Sequence, residues 1–555
     1  MNKFIRFYNS KTQQMKKSIL FLLMLTFLSV TFNGFGQSSS ILAGENIAVV
    51  TTKYGKIRGY IDDGIFAFKG IPYAQAQRFM PPIAPNNWGN VKQCTIYGPQ
   101  VMQGKAQEWN GQSDDRFGLQ FNVEPMDEKE SFVLNIWSQG INDGKKRPVW
   151  VWIHGGGFSG GSANQLPCFD GRSLAAKGDI VVVTVNHRLN TLGYLDLRGL
   201  GGDYQESVNL GQQDLVAALW WVQDNIAFFG GNPDMVTIDG QSGGGAKVAT
   251  LMAMPSAEGL FHRAIVQSGS ILKIGSSDIS KAYGLEFAKE LGVAPGEGDK
   301  LNDFTYEELV TANKKVASRF KESVPFMMHP SQSPTVDGKY IVQHPFDPSP
   351  APFVKDIPML IGSNKNEFSF MNRRIITPKS MNEVKATLTE RYDKISASKY
   401  IDSYKQAYPK IKRPQDILTT TVRTTTIKQA DVRSTQGGAP VFVYLFEWQS
   451  PVNGGSMGAA HGMELPFMFN NIAMARTLTG GTKEAYIMAD KISSAWINFV
   501  KSGDPNCEEL PNWNAYTKEN RSTMIFDNQC EVKNNFDQNL IDLVNSLPTV
   551  RPFGR

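Results

Sequence analysis

A glycine-flanked serine near the middle of the chain constrains the fold more than any other feature. Residues 235–239 (MVTID) form a short apolar run that predicts a buried strand. The next five residues, Gly240 to Gly244, read G-Q-S-G-G and fit G-x-S-x-G, and good helix formers follow at 246–254. Strand, tight turn and helix in this order hold a serine, here Ser242, in a strained conformation with a projecting hydroxyl. Both flanking glycines are needed, because a Cβ there would collide across the turn. The alternative interpretation is an ordinary Gly-Ser loop.

Apolar runs elsewhere in the chain predict a sheet covered by helices. The runs at 150–153 and 180–185 are nearly continuous and rich in β-branched residues, as in parallel strands that are buried on both faces. Alternating strands and helices predict an α/β fold with a large, mostly parallel, twisted sheet flanked by helices. Further predicted strands lie at 264–266, 359–361 and 441–446, and predicted helices lie at 174–177 and 212–228.

Two long segments, 254–357 and 377–436, are more helical and more polar than the rest of the chain. We interpret them as insertions that form the walls of a substrate site. No repeat, low-complexity tract or linker divides residues 37–555. We therefore expect one large domain with insertions, although the length alone would suggest about three domains.

The first 36 residues predict a secretory signal peptide. Lys16 and Lys17 precede an uncharged apolar run from Ser18 to Phe32, and small residues follow at Gly34 and Gly36. The run is shorter than the roughly 20 apolar residues that a membrane span needs. We expect cleavage near Gly36, export to the periplasm or the medium, and no membrane anchor afterwards.

The charge balance changes when this leader is excluded. The whole chain holds 57 Lys and Arg against 52 Asp and Glu. The leader holds five basic residues and no acidic one, so the remainder is formally neutral. The composition therefore predicts neither a nucleic-acid partner nor an acidic membrane surface as a partner.

The four cysteines, at positions 94, 168, 507 and 530, match no metal-binding spacing. Export makes disulfides possible. Cys507 and Cys530 flank a hairpin-like stretch near the C-terminus and are the best candidate pair. The alternative is four buried free thiols.

A serine that carries out acyl transfer needs a base, a carboxylate that orients the base, and donors for the oxyanion. In α/β-hydrolases these groups follow the chain order serine, acid, histidine. Glu367 directly follows the predicted strand at 359–361, where a strand-end loop can present a carboxylate. If Glu367 is the acid, His461 is the one histidine that remains as base. The alternatives are a solvated loop charge at 367 and an ordinary loop histidine at 461.

The oxyanion donors are expected from a glycine-rich loop close to the serine. His154-Gly155-Gly156-Gly157-Phe158 follows the strand at 150–153 and matches the HGGG-type motif. The backbone N–H groups of Gly156, Gly157 and Gly243 would make a hole with three donors. The alternative is a flexible glycine loop.

Taken together, these segments resemble the type-B carboxylesterases, the family of para-nitrobenzyl esterases and cholinesterases, from about Val49 to Val532. The resemblance implies an α/β-hydrolase fold and a serine esterase that forms an acyl-enzyme on small-molecule esters, with no metal or cofactor. It implies Ser242 as nucleophile, Glu367 as acid and His461 as base, with Ser268 as a supporting partner of the triad. The matching segments are FKGIPYA (68–74), LNIW (134–137), HGGGF (154–158), VVVTVNHRL (181–189), the long stretch 210–245, LFHRAIVQSGS (260–270), IGSNKNE (361–367) and HGMELPF (461–467).

The chain also departs from this family pattern. The family usually has Glu-Ser-Ala around the nucleophile, whereas this chain has Gln241-Ser242-Gly243, which removes a negative charge and weakens the case for cationic substrates. The family's early disulfide is missing, because Val101 and Ser131 stand at its two positions. Two alternatives remain open from the sequence. The same machinery could hydrolyse amides, lactones or carbamates, or the chain could be a non-catalytic binding protein on this fold.

Overall fold

The computed structural model describes residues 40–104, 122, 125–320, 329–367, 379–411, 413–419 and 421–548. The predicted signal peptide at 1–36 lies outside the described residues. In the part of the chain that is described, no helix is both long enough and apolar enough to span a membrane.

A twelve-stranded mixed sheet forms the centre of the molecule. Seven consecutive strands in the middle of the sheet run parallel, and antiparallel strands extend the sheet at both edges. The α/β-hydrolase fold class is therefore confirmed, with a larger antiparallel share than the apolar runs indicated. In spatial order the strands are β1 (Ile41–Leu42), β4 (Tyr60–Asp62), β5 (Ile65–Pro72), β7 (Val133–Ser138), β9 (Val181–Val185), β8 (Arg147–Ile153), β10 (Gly231–Gln241), β11 (Arg263–Gln267), β14 (Met359–Asn364), β15 (Val441–Phe446), β16 (Thr523–Phe526) and β17 (Glu531–Lys533).

In the described part of the chain, five further strands lie outside this sheet. A hairpin of β2 (Val49–Thr52) and β3 (Gly55–Arg58) pairs with β6 (Lys92–Gln93) in a separate sheet. The remaining pair is β12 (Gly275–Ser276) with β13 (Thr335–Val336).

Helices cover both faces of the large sheet. Successive strand residues point to opposite faces, and in β8 Val149 and Val151 pack into one apolar cluster while Trp150 and Trp152 pack into the other. The helices are α1 (Arg172–Gly178), α2 (Asn190–Tyr194), α3 (Leu210–Asn225), α4 (Gly243–Leu251), α5 (Ser277–Glu290), α6 (Tyr306–Arg319), α7 (Met381–Arg391), α8 (Lys394–Ala407), α9 (Thr421–Thr435), α10 (Leu465–Met468), α11 (Arg476–Thr479), α12 (Lys483–Ser502) and α13 (Gln538–Ser546).

Each of the two predicted insertions contains helices in its described part, although the first also includes β11 of the large sheet and the short pair β12 and β13. The first contains α5 and α6, and the second contains α7, α8 and α9. Helices α5 and α6 share one apolar cluster with α2, and α7 and α8 share another with the C-terminal α13. Each insertion therefore packs partly on a small core of its own beside the main sheet.

The cysteines are all free in the structure, so the Cys507–Cys530 disulfide favoured from the sequence is not formed. Cys94 and Cys168 are buried, and the other two are half-buried. Each of the latter packs against the apolar cluster around α12, which accounts for both thiols without a bridge.

Candidate active site

Ser242 occupies the sharp turn between β10 and α4. Its backbone has φ 58° and ψ −125°, a combination that L-residues rarely adopt. A Cβ on Gly240 would lie 2.3 Å from the carbonyl carbon of Gly244, as expected for a collision across the turn. A Cβ on Gly244 would instead lie 2.0 Å from the carbonyl oxygen of Ile153 on β8. The second glycine is thus required by the neighbouring strand rather than by the turn itself.

Glu367 and His461 lie together although 93 residues separate them in the sequence. The Nδ1–H of His461 donates to Oε2 of Glu367 in a short hydrogen bond. Both side chains are nearly buried, with exposed fractions of 7% for His461 and 1% for Glu367. The predicted acid and the predicted base are therefore brought into direct contact.

A backbone bridge next to these residues produces that contact. Asn366 forms an isolated parallel bridge with Ala460, so the residues just before Glu367 and His461 are paired. The N–H of Asn366 donates to the carbonyl of Ala459 at 3.0 Å, and the N–H of Ala459 donates to Oδ1 of Asn366 at 2.9 Å. Because β14 and β15 are parallel neighbours, their following loops leave the same edge of the sheet and can form this bridge.

The imidazole of His461 reaches the turn that holds Ser242. Its Nε2 lies 3.3 Å from Nε2 of Gln241, the residue that precedes the serine. Glu367 accepts from Nδ1, so Nε2 of the neutral ring is an acceptor and the Gln241 amide donates to it. This tautomer directs the lone pair of the base toward the turn, as proton abstraction from a serine requires.

The His154–Phe158 loop packs directly on the same turn. A Cβ on Gly155 would lie 3.3 Å from Cβ of Ser242, and a Cβ on Gly243 would lie 2.1 Å from the carbonyl oxygen of Gly157. Gly156 has φ 89° and would place a Cβ 2.3 Å from the carbonyl oxygen of Gly160. The three glycines predicted as oxyanion donors therefore lie in one contiguous backbone cluster beside the serine.

The charge of Glu367 determines the ionisation of His461. Burial alone lowers the pKa of His461, but the negative charge of Glu367 and the hydrogen bond to it outweigh burial, so the pKa is raised above 6.5. The base is consequently protonated at a higher pH than an exposed histidine would be.

Two further buried carboxyl groups lie behind this pair. Burial, followed by the charge of Glu367, raises the pKa of Glu464 to about 7. Burial also raises the pKa of Asp239 well above its ordinary value. The side chain of Asn364 donates to Glu464, and its backbone N–H donates to Oε1 of Glu367 at 2.8 Å.

Asn364, Glu464 and Asp239 were not predicted as site residues from the sequence. Asn364 and Glu464 each lie three residues from the predicted acid or base, inside segments that were noted for their resemblance. Their position in those segments is the signal that could have identified them, whereas Asp239 reads as an ordinary strand residue.

Ser268 does not support the pair as the resemblance implied. It is buried at the end of β11 with φ 48°. Within the described residues its hydroxyl has no hydrogen-bond partner, so it does not bind Glu367 or His461. Across the same described ranges, no group of three or more His, Cys, Asp or Glu side chains is placed to hold a metal ion.

Comparisons with known proteins identify the family of the chain. The family model described as "Carboxylesterase family" matches residues 46–544. The para-nitrobenzyl esterase of Bacillus subtilis (strain 168) is 32% identical over 495 residues, which cover 88% of this chain and 96% of that protein.

Solved structures give the same result. An esterase from Clostridium hathewayi, described as able to hydrolyse aliphatic aromatic polyesters, has a TM-score of 0.81 and 36% identity, covering 92% of this chain and 99% of its own. The carboxylesterase of Geobacillus stearothermophilus has a TM-score of 0.72 and 34% identity, covering 89% and 99%. The chain therefore belongs to the carboxylesterase family and is a carboxylic ester hydrolase.

Proposed function

We propose that this protein hydrolyses carboxylic esters through a Ser242-His461-Glu367 triad and an acyl-enzyme intermediate. The observation that carries the proposal is the His461 ring. One nitrogen is bonded to Glu367, and the other lies 3.3 Å from the amide of Gln241, next to Ser242. A base that is oriented by a carboxylate on one side and lies next to the turn of a strained serine on the other supports acyl transfer.

The reaction proceeds in two halves. His461 Nε2 takes the proton of Ser242 Oγ as that oxygen bonds to the ester carbonyl carbon, and the carbonyl oxygen becomes an oxyanion. The backbone N–H groups of Gly156, Gly157 and Gly243 stabilise that oxyanion. The C–O bond to the alcohol then breaks, and His461 returns the proton to the departing oxygen. Water, deprotonated by the same nitrogen, releases the carboxylic acid and regenerates the serine.

The direct test is Ser242→Ala assayed with a chromogenic short-chain para-nitrophenyl ester. We expect a loss of kcat of at least about 10³-fold, since residual turnover without a triad member comes from the oxyanion hole and from binding. Ser268→Ala is the matched control, because this serine also ends a strand with positive φ but its hydroxyl makes no hydrogen bond in the described part of the chain. Turnover by Ser242→Ala at the level of the control would refute the assignment.

We further propose small carboxylic esters as the substrate class, with the described helices of the two insertions forming the substrate walls. A panel of esters with matched amides, lactones and carbamates tests this preference on the purified protein. An aliphatic aromatic polyester belongs in the panel, since the Clostridium hathewayi esterase is described as hydrolysing that class. Faster turnover of an amide or a carbamate than of its matched ester would contradict the proposal.

We also propose that residues 1–36 direct export and are then removed. The charge and apolar pattern of the leader carries this proposal. N-terminal sequencing of the protein recovered from the periplasm or the medium should give a start close to residue 37. A cytoplasmic protein that retains Met1 would contradict it.

A further inference from the structure

A lysine is buried directly beneath the oxyanion loop, which we define as residues 154–157. Lys247 lies in α4 and is 0% exposed. Its Nζ donates to the carbonyl oxygen of His154 at 3.1 Å. Across the described ranges no carboxylate forms an ion pair with it. Burying a cation without a counter-ion is unfavourable, and burial lowers the pKa of Lys247 to about 7. The hydrolytic mechanism proposed above makes no use of this side chain.

The position of Lys247 on its helix relates it to the oxyanion hole. Gly243 and Lys247 are four residues apart, so they lie on the same face of α4. That face covers the oxyanion loop from end to end. Gly243 is in contact with Gly157 at one end, and Lys247 binds the carbonyl of His154 at the other. One helix thus both supplies a proposed oxyanion donor and holds the loop that supplies the others.

A second hydrogen bond acts on the next peptide of the loop. Because a carbonyl only accepts, Nδ1 of His154 must carry the proton and donate to the oxygen of Gly155, at 2.9 Å. The His154 ring stacks on His187 with ring centroids 4.7 Å apart, which holds the imidazole in place. Two consecutive carbonyls, those of His154 and Gly155, are therefore each held by a side chain.

Holding a carbonyl also determines the direction of the N–H in the same peptide. In a trans peptide the C=O and the following N–H point in opposite directions within one plane. The bond from Lys247 therefore orients the N–H of Gly155, and the bond from His154 orients the N–H of Gly156. The second of these is a proposed oxyanion donor.

We propose that Lys247 is a positioning residue for ester hydrolysis, which holds the oxyanion loop through its hydrogen bond to the carbonyl of His154. The inference rests on the proposed function of that loop. Both the ammonium and the neutral amine carry N–H donors, so the bond forms in either protonation state. The titratable groups that face Lys247 are His154 and His187, and burial followed by the charge of Lys247 lowers the pKa of each, which keeps them neutral.

Lys247→Met tests the proposal, because methionine fills a similar volume without a donor or a charge. We expect kcat to fall about 10- to 100-fold, less than the loss of an oxyanion donor itself, with KM within about twofold. The melting temperature should stay the same or rise, since a buried cation without a counter-ion is removed. A structural role alone would instead lower stability and activity together.

Thr250→Val is the matched control on the same helix. The hydroxyl of Thr250 is buried and donates to the carbonyl of Ala246 within α4, away from the oxyanion loop. This variant should retain kcat within about twofold, because it removes a buried hydroxyl but leaves the hydrogen bonds to the oxyanion loop in place. Lys247→Gln is a second test variant, since its amide is one bond too short to reach His154. It should reproduce the loss of kcat if Lys247→Met cannot be purified.

The outcomes separate this inference from the proposed function. Labelling by a fluorophosphonate should remain stoichiometric in Lys247→Met but become slower, which shows an intact serine with an impaired hole. Wild-type kcat in both Lys247 variants, or a loss of kcat that tracks a lowered melting temperature, would overturn the inference. Turnover that survives Ser242→Ala would overturn the proposed function, whatever the lysine variants do.

Discussion

The amide of Gln241 lies against the nitrogen of His461 that must accept a proton, so Gln241→Glu is expected to change the pH dependence of hydrolysis. The two Nε2 atoms are 3.3 Å apart, and glutamate has nearly the same shape as glutamine. A carboxylate charge about 4 Å from the imidazolium stabilises it by about 1 kcal/mol in water and by about 4 kcal/mol at an effective dielectric constant of about 20. At about 1.4 kcal/mol per pKa unit, the pKa of His461 should rise by about 0.7 to 3 units.

The sign follows from the role of the histidine. The pKa of His461 is already raised by Glu367 against the effect of burial. A second carboxylate raises it further, and the imidazolium cannot accept the proton of Ser242. The acid limb of the kcat/KM profile should therefore move to higher pH, and below the wild-type midpoint the variant should lose at least about fivefold relative to its plateau.

The assay is kcat/KM for a neutral para-nitrophenyl ester between pH 5 and 9, with Gln241→Met as the matched control. The methionine variant loses the amide bond to His461 but adds no charge, so its acid limb should stay within about 0.3 units of the wild type. An equal displacement in both variants would refute the electrostatic reasoning, because the hydrogen bond alone would then account for it. No displacement in Gln241→Glu would show that the carboxylate does not face the imidazole.

Two further predictions follow from the same site. Gly156→Ala should lower kcat by about 10²-fold with little change in KM. At the φ of 89° found at this position, the new Cβ would lie 2.3 Å from the carbonyl oxygen of Gly160 and would move a proposed oxyanion donor. Wild-type kcat in this variant would contradict the placement of the loop. Glu464 has a pKa raised from 4.5 to about 7, so the wild type should lose about 3 kcal/mol of unfolding free energy as pH rises between these values. Glu464→Gln lacks this loss, so its melting temperature should rise relative to that of the wild type between pH 4.5 and pH 8. A difference in melting temperature that does not change with pH would contradict the raised pKa.

The central strands could be predicted from the sequence because helices cover them on both faces, which requires apolar residues at nearly every position. Residues 441–446 are apolar at every position, since Val441 and Val443 face one helical layer while Phe442 and Tyr444 face the other. Such a run fits few structures other than a strand that is buried on both sides. The antiparallel edge was underestimated, because strands as short as β4 and β17 carry too few residues to show a pattern.

The catalytic groups could be predicted by type but not by contact. Ser242 has a local signature, and if Glu367 is the acid the chain order leaves His461 as the base. The contact between His461 and Gln241 depends on how a loop returns to the turn 220 residues earlier in the chain, which no local pattern records. Lys247 was absorbed into a predicted helix, and its burial became evident only when the position of the oxyanion loop was known.

The bridge between Asn366 and Ala460 has a consequence for changing the specificity of this protein. The second insertion lies between β14 and β15 in the chain, whereas the bridge joins the loops that follow these two parallel strands at one edge of the sheet. The proposed acid and base directly follow this bridge, and the hydrogen bonds between Asn366 and Ala459 beside them do not involve the helices of the insertion. A directed-evolution library confined to residues 379–411 would therefore vary part of the proposed substrate wall while leaving the spacing of the proposed acid and base intact.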